Sequence, residues 1–189
     1  MSMTKKVAVL IGSLRKESLT RKYAHAIAAV LPPSLQCEFV ELGELPLYNQ
    51  DLDDAGTPPA AWTAFRDTLR AADAVLFVTP EYNRSIPGAL KNAIDVGSRP
   101  WGHSVWDKKP SAVVSQSPGA IGGFGANHHV RQTMVALNSP VMAGPEMYIG
   151  GAAKLLADDG TVNNDQTREL LTTFGAAFER WVQANAKPT

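Results

Sequence analysis

A short segment near the start of the chain combines three hydroxyl side chains with an arginine. Residues 12–20 read Gly-Ser-Leu-Arg-Lys-Glu-Ser-Leu-Thr and follow the apolar run at residues 7–11. Hydroxyl groups and free backbone N–H groups at the start of a helix bind anions, and an arginine adds a charge-assisted bond to a phosphate. A helix cap needs only one of Ser18 and Thr20. The segment therefore favours a phosphate site over a cap alone, although it matches neither the triphosphate P-loop nor the Gly-x-Gly-x-x-Gly dinucleotide motif.

Two further segments could lie against a flat ligand. Residues 79–88 read Thr-Pro-Glu-Tyr-Asn-Arg-Ser-Ile-Pro-Gly, and their prolines and glycine stiffen the chain and let its backbone approach a ligand closely. Tyr82 offers a stacking face and Asn83 an amide group. Residues 115–125 contain four glycines within seven residues, before a predicted helix. A rigid turn without a ligand and a glycine-rich helix cap are the alternatives for these two segments.

Alternating strand and helix patterns separate the three segments. Short apolar runs predict five strands, at residues 7–11, 37–42, 74–79, 111–116 and 141–149, the last interrupted by Gly144 and Pro145. Helical spacing predicts five helices, at residues 19–31, 59–72, 87–96, 123–137 and 165–184. This alternation favours an α/β fold, a three-layer αβα sandwich around a parallel sheet with the flavodoxin-like strand order 2-1-3-4-5. Ligands of such sheets bind at the carboxyl ends of the strands, where the three segments lie.

Large apolar side chains indicate which surfaces turn inward. On two of the helices the predicted inward residues are Trp62, Phe65 and Leu69, and then Leu170, Leu171, Phe174, Phe178 and Trp181. Trp101 and Trp106 fall in a polar loop at residues 97–109. We expect these two tryptophans to be exposed, at a subunit contact or a substrate lid, or else to cover the edge of the sheet.

Composition limits the class of partner. The 18 Lys and Arg residues balance 18 Asp and Glu residues, so the formal net charge is zero, whereas nucleic-acid and membrane-surface binding normally need a basic excess. The length of 189 residues suits a single domain, predicted over residues 1–189. Cys37 is the sole cysteine, which excludes an intrachain disulfide, and the apolar run at residues 7–11 is too short for a signal peptide or a membrane span. We therefore expect a cytoplasmic protein.

The first two segments together resemble the NADPH-dependent FMN reductase family, and most closely its bacterial NAD(P)H quinone and chromate reductases. The matching motifs are Gly12-Ser13-Leu14-Arg15-x-x-Ser18-x-Thr20-Arg21 and Pro80-Glu81-Tyr82-Asn83-x-Ser85-x-Pro87-Gly88-x-Leu90-Lys91-Asn92-Ala93-Ile94-Asp95. The resemblance extends from about residue 6 to residue 181. It implies a flavodoxin-like fold with non-covalent FMN as the cofactor and NAD(P)H as the co-substrate.

Carried over residue by residue, the resemblance implies three groups of FMN contacts. The FMN phosphate would be held by Ser13, Arg15, Ser18 and Thr20, with the backbone N–H of Leu19. The ribityl chain and the isoalloxazine edge would lie along Pro80, Glu81, Tyr82 and Asn83, mainly through backbone atoms, with Ser85 close behind. The pyrimidine end would lie against Ser117 and the glycine-rich backbone at Gly119 and Gly122.

The sequence departs from the family pattern at two positions. Thr20 stands where the family often has Asn, and it can still donate to a phosphate. Val96 stands where the family often has Trp, and Trp101 and Trp106 are the candidates to pack there instead. No metal site is expected, because the adjacent His128 and His129 face different directions on a helix.

The implied reaction consists of two half-reactions, from NAD(P)H to FMN and then from FMN to a quinone, a free flavin, an azo compound or chromate. The resemblance also implies a homodimer or homotetramer. The alternative is a flavodoxin-type electron-transfer protein without NAD(P)H activity, although such carriers are usually strongly acidic and this chain is neutral. A response-regulator-like module would need an aspartate at the end of the third strand, where Thr79 and Pro80 stand.

Overall fold

A five-stranded parallel sheet forms the centre of the computed structural model, which describes residues 4–186. Its order, β2-β1-β3-β4-β5, confirms the predicted flavodoxin-like arrangement. The strands are β1 (Lys5–Ile11), β2 (Leu35–Val40), β3 (Ala74–Pro80), β4 (Ser111–Gln116) and β5 (Met147–Ile149). The helices are α1 (Leu19–Val30), α2 (Gln50–Asp54), α3 (Ala60–Ala71), α4 (Gly88–Gly97), α5 (Phe124–Ala136) and α6 (Asp165–Asn185). The first and last three residues of the predicted domain lie outside the described part.

The central strands are buried on both faces, as their continuous apolar sequences predict. Every residue of β3 is buried, and in β1 only Lys6 is exposed. Val7 and Val9 contact the core beneath one face of the sheet, whereas Ala8 and Leu10 contact the core beneath the other. A parallel sheet of this kind needs a layer of helices on each side.

The helices supply those two layers. Helices α1 and α6 cover one face, chiefly through Tyr23, Ile27, Leu171, Phe174 and Phe178. Helices α3, α4 and α5 cover the other, chiefly through Trp62, Phe65, Leu69, Leu90, Ile94, Val130 and Met134. The inward face predicted for α3 is therefore confirmed, and the sheet holds the three loops of interest at its carboxyl edge.

Three strands differ from the predicted bounds by two residues or more. Strand β1 begins at Lys5, two residues before the predicted start. Strand β2 begins two residues early, because a turn in which the Leu35 N–H donates to the Pro32 oxygen at 2.9 Å leads directly into pairing with β1. Strand β5 is much shorter than predicted, since Pro145 has no N–H group to donate to a ladder. Val141, at the predicted start of this strand, forms only an isolated bridge with Ser111.

Two helical features also differ from the sequence-based expectation. Helix α2 was not predicted; its five residues begin after Asn49, whose side chain accepts a hydrogen bond from the Asp51 N–H at 3.0 Å. The inward assignment of Leu170 was wrong, because this side chain is 44% exposed. The inward face of α6 instead passes through Leu171 and Phe174 on neighbouring turns. The described residues contain no helix that combines the length and apolar character needed to cross a bilayer.

The loop between α4 and β4 holds two tryptophans in opposite environments. Trp101 is 84% exposed, as expected, but Trp106 is only 1% exposed, so the expectation of exposure was wrong for Trp106. Its ring packs with Phe65 and Phe77, at centroid distances of 6.3 and 5.8 Å. Room for the ring exists because Gly97 has no side chain; a Cβ atom there would lie 2.6 Å from Trp106 Cζ2. Trp106 therefore belongs to the core and not to a ligand site.

Candidate functional site

The loops that follow β1, β3 and β4 meet at the carboxyl edge of the sheet and enclose a pocket of about 150 Å³. The pocket is lined by nine of the thirteen predicted site residues: Ser13, Arg15, Ser18, Leu19, Thr20, Pro80, Glu81, Tyr82 and Ser117. Gln116 and Pro118 also line it, although neither was predicted. The structure therefore brings the three predicted segments together at one place.

The start of α1 supplies donors to one end of this pocket. Ser18 is the N-cap, and its Oγ accepts a hydrogen bond from the Arg21 N–H at 3.0 Å. The N–H groups of Leu19 and Thr20 find no acceptor among residues 4–186. Because the Ser18 hydroxyl already accepts, its own proton remains available to a ligand. These groups form an anion site of the kind expected at a helix start.

Charge at the same end of the pocket comes from Arg15. Its side chain is exposed and forms no ion pair with any described residue. The neighbouring Arg21 differs, because its guanidinium lies 3.1 Å from Glu41 Oε1. Ser13 is buried, with its Oγ 3.4 Å from the Tyr82 hydroxyl. A guanidinium without an acidic partner leaves a positive charge beside the free N–H groups.

Gln116 and Thr20 meet on the wall of the pocket. Gln116 is the last residue of β4, and its Nε2 donates to Thr20 Oγ1 at 2.8 Å. The other amide atom, Oε1, is buried and has no hydrogen-bond partner among the described residues. A polar residue at the carboxyl end of a buried strand was the available signal for Gln116, but its partner lies 96 residues away in the sequence.

The segment after β3 folds into a tight hairpin. Tyr82 and Ser85 exchange backbone hydrogen bonds of 3.1 and 3.0 Å across it. The two residues between them, Asn83 and Arg84, have φ values of 52° and 65°, which is the pattern of a type I′ turn. Asparagine tolerates this left-handed conformation, whereas arginine adopts it rarely. The turn presents the Tyr82 ring, which is 43% exposed, beside the pocket.

Glu81 links this hairpin to α5. Its Oε2 accepts from the Ala126 N–H at 3.1 Å, in the first turn of α5, and its Oε1 lies 3.5 Å from Arg84 Nη1. Gly125 permits the approach, because a Cβ atom there would lie 2.9 Å from Glu81 Oε2. A carboxylate at a helix start is stabilising, so Glu81 fixes the hairpin against the helix. The family resemblance had implied mainly backbone contacts for Glu81, and it did not indicate this contact of the side chain with α5.

Four predicted residues do not line the pocket. Asn83 is exposed at the tip of the hairpin, and Ser85 Oγ lies 2.9 Å from His129 Nδ1. The Gly119 N–H donates to Ser117 Oγ at 3.1 Å. Gly122 is buried against the chain at Tyr148, where a Cβ atom would lie 2.5 Å from the Tyr148 carbonyl carbon. Cofactor contacts by all thirteen residues stay predictions, and for these four the pocket adds no support.

The two adjacent histidines have separate partners. His129 contacts Ser85, whereas His128 Nε2 lies 3.0 Å from the Tyr148 hydroxyl. Burial, and then the neighbouring Glu146 carboxylate, raise the pKa of Tyr148 to about 12. The described residues contain no group of three or more His, Cys, Asp or Glu side chains that could hold a metal ion.

The groups that line the pocket fit FMN. Its phosphate needs hydrogen-bond donors and positive charge, which the start of α1 and Arg15 provide. Its ribityl chain carries hydroxyl groups, for which the unpartnered Oε1 of Gln116 is a free acceptor. The flat ring needs a stacking or edge surface, which Tyr82 and the backbone after β3 can give.

Comparison with known proteins agrees with this reading of the pocket. The sequence model of the NADPH-dependent FMN reductase family matches residues 5–154. The chain is 60% identical to a quinone reductase from Pseudomonas putida, over 98% of each chain. It is 44% identical to a 2-hydroxy-1,4-benzoquinone reductase from a Burkholderia species, over 96% of this chain and 98% of the relative.

One solved structure extends the comparison to three dimensions. The flavoenzyme NAD(P)H:(acceptor) oxidoreductase FerB from Paracoccus denitrificans superposes with a TM-score of 0.91 and 38% identity. The match covers 97% of this chain and 100% of that chain. Because the family model matches most of the chain and relatives are similar over nearly its whole length, the chain belongs to the NADPH-dependent FMN reductase family.

Proposed function

We propose that this protein passes two electrons from NAD(P)H through bound FMN to a quinone, in a ping-pong reaction. The enzyme class and the cofactor follow from the family. The observation that carries the site assignment is the set of N–H groups at the start of α1 that have no acceptor among residues 4–186. Beside them lies Arg15, which forms no ion pair with any described residue. The names of the relatives from Pseudomonas putida and Burkholderia support a quinone as the acceptor.

The protein's own groups bind and orient the cofactor. Ser13, Arg15, Ser18 and Thr20 hold the phosphate, together with the Leu19 N–H. Hydrogen bonds to a charged group contribute about 1.5–3 kcal/mol each, and micromolar affinity needs about 8 kcal/mol, so this set suffices without a net positive chain. Bound FMN supplies the hydride and electron transfer, and no protein nucleophile is required.

Rigid support keeps the other end of the cofactor in place. The backbone of residues 80–83 lies along the ribityl chain and the ring edge. It is held in place by the contact of Glu81 with the start of α5 and by the contact between Ser85 and His129. Ser117 and the backbone at Gly119 and Gly122 are kept in the proposal as neighbours of the pyrimidine end, as the family resemblance implies, although the Gly119 N–H donates to Ser117 Oγ in this structure. A scaffold held at both ends limits the reorganisation needed during electron transfer.

Free flavins, azo compounds and chromate are further acceptors that we include in the proposal. The exposed Tyr82 ring at the rim of the pocket supports them, because an open rim does not select strongly by shape.

We also propose a homodimer or homotetramer in the cytoplasm. The exposed Leu47 and Trp101 side chains support subunit contacts, and the lone cysteine, Cys37, suits a reducing compartment. Light scattering on the purified protein measures the oligomeric state, and a monomer would contradict that part.

Colour and bleaching provide the first test. Protein mixed with FMN and freed of excess should be yellow, and anaerobic NADPH or NADH should bleach it within one turnover. Colourless protein would contradict the FMN assignment. Yellow protein that bleaches only with an added reductase would favour the electron-carrier alternative, against which the neutral charge of the chain already argues.

Steady-state kinetics test the order of the two half-reactions. Initial rates measured over a grid of NAD(P)H and benzoquinone concentrations should give parallel double-reciprocal lines, and intersecting lines would contradict ping-pong exchange. Free FMN at the same concentration, without protein, is the control for non-enzymatic transfer. The same assay with a free flavin, an azo dye and chromate ranks the acceptors.

A further inference from the structure

Gln116 is a buried polar residue that lines the pocket, and packing in the core does not explain why a polar residue stands there. It is 4% exposed, although β4 otherwise carries mostly small and apolar residues. Its side chain spans from the end of β4 to the first turn of α1, where Nε2 donates to Thr20 Oγ1. Leaving its Oε1 buried without a donor costs free energy, so a purely structural role would be better filled by an apolar residue.

The direction of this hydrogen bond decides what the Thr20 hydroxyl can do. An amide nitrogen can only donate, so Thr20 Oγ1 must accept from Gln116. The hydroxyl proton of Thr20 then has to point elsewhere, and residues 4–186 offer it no acceptor. Thr20 lines the pocket next to Ser18 and Leu19, so a phosphate oxygen there would be the acceptor.

We propose that Gln116 is a positioning residue of the phosphate site. It holds Thr20 Oγ1 as an acceptor and thereby makes the Thr20 O–H a donor to the phosphate of FMN. This inference rests on the proposed binding of FMN. The opposite amide orientation would consume the Thr20 proton, because a carbonyl oxygen would then accept it, and the phosphate would lose a donor.

The experiment compares two flavins that differ only in the phosphate. The dissociation constants of FMN and riboflavin are measured with apoprotein by quenching of flavin fluorescence, and their ratio gives the preference for FMN. A contact between Gln116 Oε1 and a ribityl hydroxyl affects both flavins alike and cancels in this ratio. General damage to the pocket cancels in the same way, so the ratio separates a positioning role from a structural one.

Four variants are compared with the unaltered protein. Gln116→Met keeps the size of the side chain and should lower the preference for FMN about tenfold, as loss of one hydrogen bond to a charged group predicts. Thr20→Val should lower it by a similar factor. The double variant should lose no more than Thr20→Val alone, because Gln116 acts through Thr20. Gln132→Met, the same change at an exposed position on α5, should leave the preference unchanged.

Gln116→Glu gives an independent arm if Gln116→Met does not fold. A carboxylate of the same shape would accept the Thr20 proton and repel the phosphate, so the preference should fall by more than tenfold. A preference within twofold of the unaltered protein in either Gln116 variant would overturn the inference, as would factors that multiply in the double variant. Failure of the unaltered protein to bind either flavin would instead overturn the proposed function.

Discussion

Arg15 carries its positive charge at the pocket without an acidic partner among the described residues, so the phosphate should be its main interaction. Arg15→Ala should therefore raise the dissociation constant of FMN about tenfold to a hundredfold, because one charge-assisted hydrogen bond contributes about 1.5–3 kcal/mol. Lys16→Ala removes the positive charge of the next residue, which is also exposed but does not line the pocket, and should change the constant less than twofold. Fluorescence titration measures the dissociation constant of FMN for both variants. Equal effects would show that Arg15 acts only through the overall electrostatic field of the protein and not through a contact with the phosphate.

Glu81 should contribute to stability through the start of α5. Glu81→Ala removes the acceptor of the Ala126 N–H, so the free energy of unfolding should fall by about 1–2 kcal/mol. Glu81→Gln retains an acceptor and should lose less. Urea unfolding of the apoprotein measures the difference, with Glu169→Ala on the exposed face of α6 as the control. A loss no larger than that of the control would mean that Glu81 does not fix the hairpin.

At this scale the sequence located most of the candidate pocket but not the bonds within it. The hydroxyl residues, Arg15 and Tyr82 lie in short loops whose residue types predict the binding of an anion and of a flat ring. The bond between Gln116 and Thr20 depends on which strand end meets which helix start, and that is a property of the folded chain. The contact of the Glu81 side chain was not predicted for the same reason, because its partner Ala126 belongs to helix α5, 45 residues further along the chain.

Helix α4 depends on a glycine for its contact with the following loop. Gly97→Ala would place a methyl group 2.6 Å from the buried Trp106 ring, which is rigid, so the structure should lose about 1–3 kcal/mol. Gly88→Ala, at the other end of the same helix, meets nothing within 4 Å and should be neutral or stabilise by up to about 1 kcal/mol. Thermal and urea unfolding distinguish the two, and equal stabilities would contradict the packing argument.

Elements that are buried on both faces were the most predictable. Strand β3 is a continuous apolar run, and its bounds follow from that run to within one residue. The length of strand β5 was overestimated because apolar residues lie on both sides of Gly144 and Pro145. The hydrogen bonds between strands need backbone N–H groups, and Pro145 has none. The short α2 has no buried residue, so no apolar periodicity signals it.

The whole molecule should lose stability in alkali through Tyr23. This phenol is buried beneath α1 and donates to the Ala152 oxygen at 2.9 Å, and burial raises its pKa to about 12. The unfolded chain ionises tyrosine near pH 10, so between about pH 10 and 12 it releases a proton that the folded chain retains. The stability present below pH 10 is therefore lost as the pH rises, by about 1 kcal/mol at pH 11 from this group.

Tyr23→Phe tests that statement, because phenylalanine cannot ionise. Urea unfolding at pH 9 and at pH 11 should show a smaller loss in the variant than in the unaltered protein, whatever the difference between the two at pH 9. An equal loss in both would assign the alkaline sensitivity to other groups. Cys37 is one such group, since burial raises its pKa to about 11.

The neighbouring Trp101 and Trp106 give one loop two optical reporters. Trp101, which is 84% exposed, should emit at long wavelength and be quenched by iodide, whereas Trp106, at 1%, should emit in the blue and resist the quencher. Because Trp62 and Trp181 also emit, each signal is obtained as the difference between the unaltered apoprotein and the Trp101→Phe or Trp106→Phe variant. Iodide access to Trp106 then reports that the loop has left the core, and a change confined to Trp101 reports only that something has covered the surface.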